Sequence, residues 1–209
     1  AWRLWDYWER HLDPDLSIDR SLKGAVKGKV VMITGGSSGI GEAAAIRIAE
    51  AGGKVLVVAR DEEKLAEVRK KITDAGGFVK TYSCDITDYA ANDKLAKDIL
   101  KEFGHVDVLI NNAGRSIRRS LALSYDRFHD FERTMQLNYF ACVRLTMNLL
   151  PSMTSRRRGH VINVSSIGVL SNAPRFSAYV ASKAAIESFA RCAASEFHDE
   201  GVHFTIINM

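Results

Sequence analysis

The chain has 209 residues, enough for one well-buried domain and short for two. Its 46% hydrophobic and 26% charged residues describe an ordinary globule, and a formal net charge of +4 is too small to argue for nucleic acid. No apolar run approaches the ~20 residues of a membrane-spanning helix, and the three cysteines, Cys84, Cys142 and Cys192, are widely separated and show no metal-ligand spacing.

In chain order, the first 25 residues read as a separate helical extension (1–25) ahead of a single domain (26–209). Trp2, Trp5, Trp8 and Leu12 follow helical spacing, and Asp13-Pro14 is a stop signal. Such a stripe predicts packing against the protein's own core or an upstream domain. Peripheral membrane contact is the sharper alternative, weakened by charges of both signs on the same helix. The opening AWRLWDYWERHLDPD lacks the continuous apolar stretch of a signal peptide. With Cys142 and Cys192 expected as buried, inert thiols, a cytoplasmic setting follows. The start at Ala1 and the end at Met209, just past a sixth strand, read as cuts, so the chain is expected to lack a C-terminal substrate region.

Apolar runs suited to buried parallel strands fall at 29–34, 54–59, 78–83, 106–110, 160–165 and 202–207, with amphipathic stretches at 39–51, 61–75, 88–103, 124–154 and 176–200. Glycines at 52–53, 76–77, 104 and 201 punctuate the helix ends, and Pro151 is expected to kink or end the longest helix. Repeated βαβ units with right-handed crossovers predict an α/β fold, a doubly wound parallel sheet of the Rossmann type.

The first βα turn reads Thr34-Gly35-Gly36-Ser37-Ser38-Gly39-Ile40-Gly41. Gly35 permits the tight exit from the strand, Gly39 lets the backbone approach a pyrophosphate, and Gly41 lets helix and sheet pack closely. The helix N-terminus then favours the negative charge. The second strand ends at Ala59-Arg60-Asp61, with no carboxylate at the strand end to grip a ribose 2′-hydroxyl. A guanidinium there suits a 2′-phosphate, which points to NADPH rather than NADH, while Asp61 is expected to cap the following helix. Asp85 and Ile86 are expected to border the adenine, and Asn112-Ala113-Gly114 close the fourth strand on the same edge.

Tyr179 and Lys183 stand four apart in AYVASKAAIESFA, on one helix face. A free phenol has a pKa of ~10, and a neighbouring ammonium favours its ionised form. A phosphate-cradling turn with such a pair implies hydride transfer between a nicotinamide and a carbonyl carbon. The arginines at 115, 118 and 119 read either as surface charge or as a site for an anionic substrate tail; those at 156–158 read as solvated surface. His129 and Asp130 read as a surface pair.

Together these residues resemble the short-chain dehydrogenase/reductase family, from about Lys27 to the end. TGGSSGIG, the NNAG loop, Asn138, a serine and YVASK stand in the family's order and spacing, and Ser166 rather than Ser165 lies at the family's usual distance before the tyrosine. NNAGRSIRRS, SYDRFHDFERTMQLNYF and SSIGVLSNAPRFSAYVASKAA are similar to bacterial fatty acyl-CoA reductases. The resemblance implies a catalytic set of Asn138, Ser166, Tyr179 and Lys183, with Thr34, Gly35, Ser37, Ser38, Gly39, Ile40, Gly41, Arg60, Asp85, Ile86, Asn112, Ala113 and Gly114, joined by Tyr179 and Lys183, around NADPH. It implies NADPH-dependent reduction of a long-chain fatty acyl-CoA to the aldehyde, a homo-oligomer and no metal. The arginines at 115–119 become candidates for the phosphates of coenzyme A. A generic ketone or 3-oxoacyl reductase, or a non-catalytic cofactor-binding module, are the alternative expectations.

Overall fold

A computed structural model describes residues 21–209. The expected extension at 1–25, with its tryptophan stripe, lies outside the described residues except at its end. There α1 (Leu22–Val26) is capped by Ser21, whose side chain accepts from the Gly24 amide. The six expected strands form one parallel sheet: β1 (Val30–Thr34), β2 (Lys54–Ala59), β3 (Phe78–Ser83), β4 (Val108–Asn111), β5 (Gly159–Ser165) and β6 (Val202–Asn208), ordered β3-β2-β1-β4-β5-β6. The order reverses direction between β1 and β4. At that switch point the loops leaving the two strands part and open a crevice at their carboxyl ends.

Alternation along β1 and β2 fixes the two faces. Val31, Ile33, Val55 and Val57 pack with α2 (Gly39–Glu50) and α3 (Glu62–Asp74). Met32, Leu56 and Val58 pack beneath α4 (Tyr89–Phe103) and α6 (Cys142–Ser155). The central strand β1 is buried along its whole length, as apolar runs covered on both faces must be. Helix α8 (Ser177–Glu196) lies over β5 and β6. Gly104, with φ of 76°, ends α4 in the left-handed conformation. Among the described residues no helix is long and apolar enough to cross a membrane.

The stretch expected as one helix over 124–154 is instead three pieces. Helix α5 (His129–Met135) begins only after a short 3₁₀ turn at Leu121–Leu123, a widened π turn spans Gln136–Ala141, and α6 follows directly. Pro151 does not end α6, which runs on to Ser155. Proline lacks the N–H that would bond the carbonyl four residues back, at Met147. Both Pro151 and Met147 are exposed, so the missing bond falls on the solvent side of the helix. A four-residue helix, α7 (Gly168–Ser171), was not foreseen.

Candidate active site

The crevice is built by stitching two loops together. The Thr34 hydroxyl accepts from the amides of Asn112 and Ala113 (both 3.1 Å), and the Asn112 side-chain amide donates to the carbonyls of Thr34 (3.1 Å) and Gly35 (3.0 Å). The chain passes so tightly here that side chains are excluded. Gly35 has φ of 64°, and a Cβ on it would lie 2.8 Å from the Ala113 Cα. A Cβ on Gly41 would collide with the Gly35 carbonyl oxygen and lie 2.5 Å from the Asn112 side-chain nitrogen. These contacts hold the N-terminus of α2, with its unsatisfied N–H groups, open toward the crevice.

The resulting cleft has a volume of about 450 Å³. Of the expected cofactor residues it brings together Thr34, Gly35, Ser37, Ser38, Ile40, Arg60, Asp85, Ile86, Asn112, Ala113 and Gly114. Gly39 and Gly41 do not line it; Gly41 acts behind the wall, through close packing. Sequence reading missed Lys64, Cys84 and Leu137, which also line it. Lys64 lies in the first turn of α3, just past the Asp61 cap, close enough in sequence to Arg60 to have been flagged as a second cation.

At one end of the cleft Arg60 lies 3.6 Å from Asp85, with both side chains well exposed. Burial pushes the Asp85 carboxyl up, but Thr87 and Arg60 outweigh it and hold it below the usual carboxylate range. Asp61 caps α3 as expected, its carboxylate accepting from the Lys64 amide at 3.1 Å. The residues therefore fit a dinucleotide: a glycine cradle that no side chain may enter, a helix N-terminus for pyrophosphate, and exposed cations where a ribose would end.

Gly114 marks the other end. A Cβ there would sit 3.3 Å from the Lys183 Nζ and 3.4 Å from the Asn138 Oδ1. Tyr179 and Lys183 do not line the cleft itself, but Gly114, which does, borders Lys183. Lys183 is buried and donates to the Val164 carbonyl at 2.7 Å, with its Nζ 6.0 Å from the centre of the Tyr179 ring. Burial holds its ammonium below the ordinary lysine value.

Asn138 lies in the π turn, where one wider turn re-aims a side chain. Its Oδ1 accepts from the Arg115 amide (2.8 Å), and its Nδ2 donates to the Arg115 carbonyl (2.9 Å) and the Ser182 hydroxyl (2.9 Å). Both side-chain hydrogens are committed, so the asparagine anchors the NNAG loop to α8.

The two serines are separated by strand alternation. Ser165 shares the face of Val161 and Asn163, meets α8, and donates to the buried Glu187 at 2.6 Å. Ser166, the first residue past β5, is turned back by the Gly168 amide, which donates to its hydroxyl at 3.1 Å.

Four expectations outside this set need correction. Arg119 is not free for a coenzyme A phosphate: its Nε lies 3.3 Å from Asp130, whereas Arg115 and Arg118 are exposed. Asp130 is no surface residue but a buried carboxylate facing Arg127, Arg119 and His129. Arg156 is structural, reaching Asp107 at 3.1 Å and the Val106 carbonyl at 3.0 Å. Cys192 is exposed on α8, while Cys142 is buried and its thiol pushed up to about 11 by that burial.

A doubly wound parallel sheet with a glycine cradle at its switch point defines a dinucleotide-binding protein. A family model for the short chain dehydrogenase matches residues 29–209, and the chain belongs to the short-chain dehydrogenase/reductase family of oxidoreductases. A fatty acyl-CoA reductase of Acinetobacter baylyi is 58% identical over 184 residues, covering 88% of this chain and 62% of that protein. A fatty acyl-CoA reductase of Mycobacterium tuberculosis is 46% identical over 199 residues, covering 94% and 68%. An uncharacterised oxidoreductase of the same organism is 54% identical over 193 residues, and the chain spans 57% of its length. Among solved structures, a metagenomic short-chain oxidoreductase in complex with NADP superposes with a TM-score of 0.83 at 32% identity, covering 87% of this chain and 82% of that one. An NAD+-bound xylitol dehydrogenase reaches 0.82 at 26% identity, covering 87% and 70%.

Proposed function

We propose that the protein reduces a long-chain fatty acyl-CoA thioester to the aldehyde with NADPH. The observation that carries the chemistry is the buried Lys183 beside the Tyr179 ring, with Gly114 of the dinucleotide cleft next to its ammonium. The nicotinamide, when bound, supplies a hydride to the thioester carbonyl carbon. Tyr179 gives a proton to the carbonyl oxygen as charge develops on it, and Ser166 holds the same oxygen by a hydrogen bond. The Lys183 cation favours the charge left on the phenolic oxygen and grips the ribose hydroxyls. Asn138 fixes the loop that follows Gly114 and would position a water that links Lys183 to solvent for reprotonation. The resulting hemithioacetal loses coenzyme A as the free thiol and leaves the aldehyde. No cysteine nucleophile enters: Cys142 is buried with its thiol pushed up to about 11, and Cys84, which lines the cleft beside Asp85, is also pushed up, by burial and by Asp85 and Asp88, whereas a thiolate would be needed.

The acyl substrate is supported by the relatives' names and by the loops leaving β4 and β5. Leu121, Leu123, Tyr125 and Phe128 are exposed on the first, and Ile167 and Leu170 on the second. Large apolar side chains on that edge suit an alkyl chain, and the exposed Arg115 and Arg118 suit phosphates.

Steady-state assays with palmitoyl-CoA and a panel of ketones test the reading. Aldehyde and free thiol in stoichiometric amounts are expected with the thioester; turnover of ketones alone would replace it with a carbonyl reductase. NADPH preference rests on Arg60, whose pairing with Asp85 is exposed and weak enough to exchange for a phosphate. Arg60→Asp should shift the NADPH-to-NADH preference by about tenfold or more, read from kcat/KM for each cofactor. An unchanged ratio would remove Arg60 as the selector.

A further inference from the structure

Helix α8 grips the end of β5 at two consecutive turns. Lys183 donates to the carbonyl of Val164 at 2.7 Å, and Glu187, four residues on, accepts from the Ser165 hydroxyl at 2.6 Å. The residue after that double grip is Ser166. Glu187 is 1% exposed, although it stands on a helix whose outer face was free to hold it. A carboxylate taken out of water is costly unless its oxygens are satisfied. Here one oxygen takes the Ser165 hydroxyl and the other the Arg191 guanidinium at 2.7 Å, whose side chain is 64% exposed. Simple core packing does not need this arrangement, since an apolar pair would fill the same space without desolvating a charge.

The geometry points to Glu187 as a positioning residue for the catalytic serine, which deepens the function proposed above and rests on Ser166 acting there. By holding Ser165 against α8, Glu187 fixes the residue at which β5 ends. It thereby assigns one serine of the adjacent pair to the helix and leaves the other, Ser166, turned to the Gly168 amide. Because Lys183 lies one turn away on the same helix face, the link also locks the spacing between the tyrosine–lysine pair and Ser166. A displacement of about 1 Å in such a constellation costs on the order of a hundredfold in rate.

The test uses the full-length protein with NADPH and palmitoyl-CoA, and compares Glu187→Gln, Glu187→Leu, Ser165→Ala, Ser166→Ala and the Ser166→Ala/Glu187→Leu pair. Glu187→Leu and Ser165→Ala should each lower kcat by about tenfold or more, with palmitoyl-CoA KM and NADPH affinity unchanged. Glu187→Gln keeps an accepting oxygen for Ser165 and should stay near the parent rate. In the Ser166→Ala background Glu187→Leu should cost nothing further, because the group it positions is gone. Ser165→Ala removes one hydroxyl and leaves Glu187 with Arg191, so it reports on the link even if Glu187→Leu does not fold. Parent-like kcat in Ser165→Ala, or a loss in Glu187→Leu that is undiminished in the Ser166→Ala background, overturns the inference. A Ser166→Ala variant with full activity instead overturns the catalytic reading on which it rests.

Discussion

At the residue scale, each side chain in the centre has one geometrical reason to be where it is. Lys183 is a buried cation tethered to the Val164 carbonyl; Tyr179 lies one turn before it on α8. Exchange of Tyr179 for Phe removes only the hydroxyl. Turnover should fall by about 10²- to 10⁴-fold while NADPH affinity, measured by fluorescence, stays within error of the parent. Retained turnover would show that another group donates the proton. Which residues would face one another was readable from sequence, because i and i+4 share a helix face. Which of Ser165 and Ser166 is held by the helix depended on strand alternation meeting α8, where Glu187 claims Ser165. Asp130 was misjudged for a similar reason. Its own helix shows a polar neighbourhood, but Arg119 arrives from a loop eleven positions earlier and covers it.

At the scale of elements, the glycine turn, the NNAG loop and α2 form one piece. Thr34 and Asn112 bond across the switch point, and the absence of a side chain at Gly41 lets the turn close under α2. Gly41→Ala places a methyl against backbone, which cannot yield as a flexible side chain can. The variant should lose about 1–3 kcal/mol of stability, read from denaturant midpoints, and NADPH affinity should fall with it. A variant as stable as the parent would show the turn to be looser than its geometry implies. The break in the long helix at Gln136–Ala141 escaped sequence reading, since nothing in QLNYFA opposes an ordinary helix. Its cause is tertiary: Asn138 must reach the Arg115 backbone and Ser182 at once, and an extra residue in the turn supplies the angle.

At the scale of the whole molecule, Asp107 ties the amino edge of the sheet. Its carboxylate accepts from the Val30 amide at 2.9 Å and meets Arg156 at 3.1 Å and His105 at 3.3 Å. Burial pushes its pKa up, but the Val30 amide, Arg156 and His105 outweigh that and hold it below the ordinary value. A carboxyl whose folded pKa is depressed stabilises the protein above its unfolded pKa, and loses that contribution as pH falls through the folded value. Asp107→Asn should therefore cost about 2 kcal/mol near neutrality, and the gap between variant and parent should close only as the medium becomes more acidic than the usual carboxylate range. Thermal unfolding across pH checks this; a gap that is the same at all pH values would mean packing, and not charge, is at stake. By itself the sequence determined the six strands, their alternation with helices and the dinucleotide turn, because periodicity and glycine placement are local properties of the chain. Only the tertiary structure decided the sheet order, the break at Asn138, the burial of Asp130 and Glu187, and the partners of Arg119 and Arg156. Each of these depends on a charge or amide that another segment brings into contact across many residues, and local periodicity carries no record of such distant partners.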